Sequence, residues 1–206
     1  MFSRLILTTM KKTLIAVLII GFTTAGYAHE EGQWLLKAGL TNVDPKSSNH
    51  EVVDADAGAA LNLNATYFFT DSLALDVLAA IPFEHDVVLK DGTKVGDTKQ
   101  LPPTVSLNYF FNNGGRFRPY IGAGVNYTTF FSEGTTGPLA GSDLDLDDSW
   151  GLSVQVGADW AINDRWFVNF DVRKMDIDSD AQLDGADLGT VEIDPLVYGI
   201  SFGYQL

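Results

Sequence analysis

Eight stretches of this chain repeat with a period of two, and this repetition limits the fold more than any other feature of the sequence. From Gln33 to Thr41, the residues Trp34, Leu36, Ala38 and Leu40 alternate with Leu35, Lys37 and Gly39. The second stretch sets Ala59, Leu61, Leu63, Ala65 and Tyr67 against Asn62, Asn64, Thr66 and Phe68, and the third sets Leu73, Leu75, Val77 and Ala79 against Ala74, Asp76, Leu78 and Ala80. Val105, Leu107, Tyr109 and Phe111 then oppose Thr104, Ser106, Asn108 and Phe110, and Ile121, Ala123, Val125 and Tyr127 oppose Arg118, Tyr120, Gly122, Gly124 and Asn126. The last three oppose Trp150, Leu152, Val154, Val156 and Trp160 to Ser153, Gln155, Gly157 and Asp159; Trp166, Val168, Phe170 and Val172 to Asn169, Asp171 and Arg173; and Tyr198, Ile200, Phe202, Tyr204 and Leu206 to Gly199, Ser201, Gly203 and Gln205. Alternate residues of a strand share a face. Each stretch therefore predicts a strand with one apolar face and one polar or small face, at the length of about ten residues that a tilted membrane-crossing strand needs.

The connections alternate as well. Those near 70–72, 112–116 and 163–165 are short, the middle one carrying the turn signal Asn112-Asn113-Gly114-Gly115, whereas those near 42–56, 84–100, 132–147 and 176–191 are long. This is the pattern of a barrel with short periplasmic turns and longer outer loops. It predicts an all-β, eight-stranded antiparallel transmembrane β-barrel with both termini on the periplasmic side. A soluble barrel would also alternate, but the face bearing Asn62, Asn64, Asp76, Asn108, Arg118, Gln155, Asp159, Asn169, Asp171 and Arg173 is too polar to be an apolar core.

Residues 1–28 differ from the rest. Arg4, Lys11 and Lys12 precede an apolar run, Leu14 to Ile20, that ends before Gly26-Tyr27-Ala28. The run is too short to cross a membrane as a helix and reads as a signal peptide cleaved after Ala28, with Met10 as an alternative start giving a more compact signal. Residues 29–206 form the barrel. All 27 acidic residues but only ten of the 13 basic ones lie after residue 28, so that part carries a net −17, a balance that disfavours nucleic acid as a partner. After the signal no apolar run approaches helical spanning length, so a barrel is the form in which this part could enter a bilayer.

Several runs resemble a known family: Leu78-Ala79-Ala80-Ile81-Pro82-Phe83, Leu101-Pro102-Pro103-Thr104, the long run from Phe117-Arg118-Pro119-Tyr120 through Gly122-Ala123-Gly124-Val125-Asn126-Tyr127 to Phe131, Asp148-Ser149-Trp150-Gly151, and Met175-Asp176-Ile177-Asp178. In these the chain is similar to the OmpW-type eight-stranded outer-membrane proteins. The resemblance implies location in the outer membrane of a Gram-negative bacterium, an apolar pocket or passage in the extracellular half that admits small hydrophobic molecules, and a sideways exit through the wall. Leu78 matches a leucine assigned to the narrow apolar part of that passage. Arg173 departs from a tryptophan that some members place there, and Leu206 departs from the usual aromatic last residue, which bears on recognition by the outer-membrane assembly machinery.

From these readings the expected transport pathway comprises Leu78, Phe68, Phe110, Tyr120 and Arg173, the first four forming an apolar or amphipathic upper interior that can exclude water. Lys37, Asp76, Arg118, Asp159 and Asp171 are expected to form an interior polar network, together with Arg173. This network either plugs the lower barrel by pairing or lines a wetted path. The expected partners are outer-membrane lipids and lipopolysaccharide, small apolar solutes and the assembly machinery; no cofactor is expected. The alternative is a loop-mediated adhesin, a phage receptor or a structural barrel without transport.

Catalysis finds no support in the sequence. Ser106, Ser153 and Ser201 have no histidine at an inward strand position, and His29, His50 and His85 show no ligand spacing. The run Asp143-x-Asp145-x-Asp147 lacks the glycine and closing glutamate of a calcium loop, so it is expected to form solvated surface. With no cysteine, neither disulfide nor thiol chemistry is open to the chain.

Overall fold

The computed structural model describes residues 28–45, 53–55, 58–80, 82–89, 93–111 and 114–206. The signal-peptide reading of the first residues falls outside these, as does the Asn112-Asn113 part of one turn. Fourteen strands follow in order: β1 (Trp34–Asp44), β2 (Val53–Ala55), β3 (Gly58–Phe68), β4 (Leu73–Ala80), β5 (Phe83–Leu89), β6 (Lys94–Leu101), β7 (Thr104–Phe110), β8 (Phe117–Thr135), β9 (Leu144–Leu146), β10 (Ser149–Ala161), β11 (Trp166–Met175), β12 (Asp178–Leu183), β13 (Ala186–Glu192) and β14 (Leu196–Gln205). Eight of them close into an antiparallel ring in the order β1-β3-β4-β7-β8-β10-β11-β14, with β14 returning to β1 through pairs such as Leu36↔Tyr204 and Leu40↔Ile200. These eight are the eight alternating stretches. Closure leaves no sheet edge across the membrane, which a bilayer without hydrogen-bonding partners requires.

The alternation is kept throughout the ring. Leu35, Lys37, Thr41 and Val43 of β1 are buried while Trp34, Leu36, Ala38, Leu40 and Asn42 are exposed, and β10 and β11 repeat the pattern. The exposed side is the apolar one, including Leu63, Ile121, Leu152, Val156, Phe170 and Phe202. Aromatic residues mark its two ends. Trp34 and Tyr67 meet at 4.9 Å and Trp166 and Tyr204 at 4.7 Å near the termini, while Tyr127 and Trp150 meet at 4.8 Å near the other rim. From Trp150 to Trp160 along β10 the rise is about 33 Å of strand, or about 25 Å of membrane thickness at a tilt near 40°, the height of an outer-membrane apolar band.

The long connections are more ordered than the sequence reading expects. β5 and β6 form a hairpin whose second strand pairs with the upper part of β8 (Leu101↔Thr129, Gln100↔Phe130), so that β8 runs for 19 residues and carries the wall beyond the band. β12 and β13 form another hairpin, which β9 joins through Ala181↔Leu146. The two-residue loop Asp184-Gly185 has φ of 51° and 77°, the positive pair that a tight hairpin turn demands. Asp145, expected as loop surface, is thus a strand residue paired with Gln182.

Candidate functional site

The barrel interior is stacked in three layers. The lowest, beside the short turns, is a cluster of Leu35, Phe68, Ala74, Phe110, Tyr120 and Phe167. The Phe68 and Phe110 rings lie 4.9 Å apart and Phe110 and Tyr120 4.7 Å. Phe167 fits because its partner across the ladder is Gly203, where a β-carbon would fall 2.1 Å from the ring. His29, which precedes β1, is drawn into this layer. Its ring stacks on Phe68 at 4.3 Å, its Nδ1 lies 2.9 Å from Gln33 Oε1, and its Nε2 lies 3.4 Å from Asp159. Burial in this apolar floor holds the imidazole below its ordinary pKa, against the pull of the Asp159 carboxylate.

Above the floor lies a charged belt. Lys37 donates to Asp76 at 3.0 Å, and the same carboxylate accepts from Thr66 and Asn64. Arg173 reaches across from β11 to within 3.7 Å of Asp76 and donates to Gln155, which donates in turn to Asn108. Asn108 has room because it faces Gly122, where any β-carbon would strike its amide oxygen. On the lower side of the belt Asn169 donates to Asp159 at 2.8 Å and to the Tyr120 hydroxyl at 3.1 Å, and Arg118 lies 3.9 Å from Asp159 and 5.3 Å over the Phe167 ring. Such pairing is what buried charges require, since each alone would lose its hydration without return.

The third layer is apolar again: Val43, Leu78, Phe130, Met175, Ile177, Ile193 and Val197. Val43, Leu78, Met175, Ile177 and Val197 line a cleft with Thr41, Gln100, Pro102 and Pro195. The free space there is about 10 Å³, room for one water at most. A solute entering it must part these side chains.

A family model described as the OmpW family matches residues 30–206. The chain belongs to the OmpW family. It is 40% identical over 216 residues to Outer membrane protein W of Vibrio cholerae, covering 95% of this chain and all of that one. Among solved structures it resembles the outer membrane protein OprG from Pseudomonas aeruginosa, at 34% identity and a TM-score of 0.77, covering 88% of this chain and 99% of the other. A further relative, the dibenzothiophene metabolism operon protein PahQ of Pseudomonas aeruginosa, is 33% identical over 195 residues, covering 85% of this chain and 90% of that one. This OmpW-family chain is therefore an outer-membrane barrel.

Within the barrel the residues singled out from the sequence fall into different layers. Leu78 lies in the upper cleft, but Phe68, Phe110 and Tyr120 do not join it. They lie on the floor because Phe68 and Phe110 are the last residues of β3 and β7, next to short turns, while Leu78 is the sixth residue of the rising strand β4. Arg173 belongs to the polar belt. Lys37, Asp76, Arg118 and Asp159 are brought into direct pairs, whereas Asp171 is not: it is half-buried, its carboxylate lies over Gly199, and among the described residues it makes no direct ion pair. Sequence reasoning missed His29, which lies ahead of the first alternating stretch. It also left Val43, Met175 and Val197 out of the cleft, although their inward strand positions follow from the same period of two, and Ile177, which lies in the connection between β11 and β12.

Proposed function

We propose that this OmpW-family barrel lets small hydrophobic molecules cross the outer membrane passively, taking them into the upper cleft from outside and releasing them sideways into the bilayer. The observation that carries this reading is the order of the layers. An apolar cleft in the extracellular half rests on a paired charged belt and an aromatic floor, so the favourable path for an apolar solute does not continue straight down. Burial of the solute in the cleft gains roughly 25 cal/mol for each Å² removed from water, while the belt offers it only desolvation of charge. Beside the cleft the pairing of β4 with β7 ends at Leu78↔Thr104, two residues before the end of β4. Pro102 and Pro195 add positions that have no N–H to donate. The apolar solute class also agrees with a relative named for dibenzothiophene metabolism.

The test compares uptake of several small apolar compounds, dibenzothiophene among them, by liposomes holding equal amounts of folded wild-type protein or the Leu78→Asp variant. Wild-type protein is expected to speed uptake and the variant to lose most of the gain, since a carboxylate would stand unpaired in the apolar cleft. Wild-type uptake equal to protein-free liposomes would remove the transport role and leave the adhesin, receptor or structural alternative. Undiminished uptake by the variant would remove this route.

A further inference from the structure

The charged belt is incompletely satisfied on the side that faces the cleft. Arg173 is only 3% exposed. Its Nη2 donates to Gln155 and lies 3.7 Å from Asp76, yet its Nε and Nη1 have no hydrogen-bond acceptor. Those two nitrogens carry three of the five N–H donors of a guanidinium. A buried charged donor left unmade is costly, so a site that keeps one has a strong preference for an acceptor that can reach it.

The position of this guanidinium relates it to the cleft. Arg173 stands directly across the ladder from Val197 and one inward step below Met175, and it reaches Asp76, which is one inward step below Leu78. Val197, Met175 and Leu78 all line the cleft. Arg173 does not itself line the cleft; its guanidinium reaches across the lumen to Asp76, one inward step beneath the cleft-lining Met175 and Leu78. Its nearest anion, Asp76, already receives Lys37, Thr66 and Asn64. Asp171 lies one inward step further down β11, against Gly199. On the flank, Ser153, directly opposite Met175, also has a buried hydroxyl oxygen without a partner.

We infer that the cleft prefers amphipathic monocarboxylates, an apolar body lying against Leu78, Met175 and Val197 with its carboxylate accepting from the unused N–H groups of Arg173. The inference rests on the reading of the cleft as an entry for apolar solutes and specifies the head group those solutes carry. A planar carboxylate matches the guanidinium fork, and its hydrogen bonds are charge-assisted, which water or a neutral amide cannot equal. A dianionic phosphate fits less well, because the other buried cations near the belt, Lys37 and Arg118, already face Asp76 and Asp159.

The probes are octanoate and octanamide, which share a chain and differ in head-group charge at neutral pH. They are titrated against folded full-length protein in lipid nanodiscs, with empty nanodiscs subtracted, and the arginine Nε–H resonances and the saturation curve are followed. Octanoate is expected to half-saturate at a concentration roughly tenfold or more below octanamide and to move the Arg173 Nε–H signal. Arg173→Gln is expected to remove that difference. Equal half-saturation by the two probes in wild-type protein overturns the inference, and this comparison needs no variant to assemble. Saturable octanamide binding with equal octanoate binding leaves the apolar-solute reading standing without the head-group preference. Saturable octanoate binding without any octanamide binding or uptake above empty membranes supports the carboxylate site and removes the general apolar route. No saturable binding of either probe overturns both.

Discussion

Replacing Lys37 with methionine tests whether the belt is held by pairing. The Lys37 ammonium is 3.0 Å from Asp76, and both side chains are almost wholly buried. With an effective dielectric of 20 that separation corresponds to an attraction of about 5 kcal/mol, from which the cost of desolvating both ions must be subtracted. Lys37→Met keeps the apolar stem and removes the charge, leaving the Asp76 carboxylate with Thr66, Asn64 and the more distant Arg173. Loss of one partner from a buried pair costs about 3–5 kcal/mol, and the remaining partners place this variant near the lower end, about 3 kcal/mol. Adding Asp76→Asn removes the stranded charge while keeping an oxygen for Thr66, so the double variant should recover to within about 1–2 kcal/mol of wild type. The measurement is urea unfolding in detergent, followed by β-sheet circular dichroism and by the mobility difference between heated and unheated barrel. A single variant that loses less than about 1 kcal/mol, or a double variant no better than the single, would refute the pairing argument.

Three further outcomes follow from the floor and the seam. Gly203→Ala should destabilise the barrel by about 1–3 kcal/mol in the same unfolding assay, because the new methyl group would overlap the Phe167 ring; adding Phe167→Leu should relieve part of the loss. Burial lowers the His29 pKa, so the folded state binds a proton less readily than the unfolded chain. This contribution to stability is complete above the ordinary value of 6.5 and is lost as pH falls below it. The urea midpoint of wild type should therefore drop between about pH 7 and about pH 5 by more than that of His29→Gln, and parallel profiles would exclude the histidine as the cause. Leu206→Phe should raise the fraction of assembled barrel in cells, measured by heat-dependent mobility in outer-membrane fractions, with no change or a loss counting against a role for residue 206 in assembly.

The strand faces were legible because each strand separates two unlike surroundings, and residues as different as Leu36 and Lys37 cannot exchange sides. Height within the barrel was less legible. Period two assigns Phe68 and Leu78 to the same interior but says nothing of their levels, which depend on register: Phe68 pairs with Ala74 at the short turn, Leu78 with Asn64 and Thr104 higher up. The charged pairs could be anticipated as a group, since inward Lys37, Asp76, Arg118 and Asp159 need one another, but not their distribution, which left Asp171 to one side. His29 was hidden because it enters the barrel from outside any strand. The Asp184-Gly185 hairpin was visible in principle as a turn dipeptide, and the surplus of aspartate around it obscured the strands that it joins.

The sealed lower half also governs how many copies of this barrel a cell can tolerate. A hydrated ion could pass only by parting Lys37 from Asp76 and Arg118 from Asp159 and by displacing Phe68, Phe110 and Tyr120 below them. Each of those moves exposes a charge or an aromatic ring without replacing its partner, so the electrical leak through one copy stays small. Abundance can then rise while the ionic balance of the periplasm and the exclusion of polar toxins are left intact, a freedom that an open water-filled pore would not give.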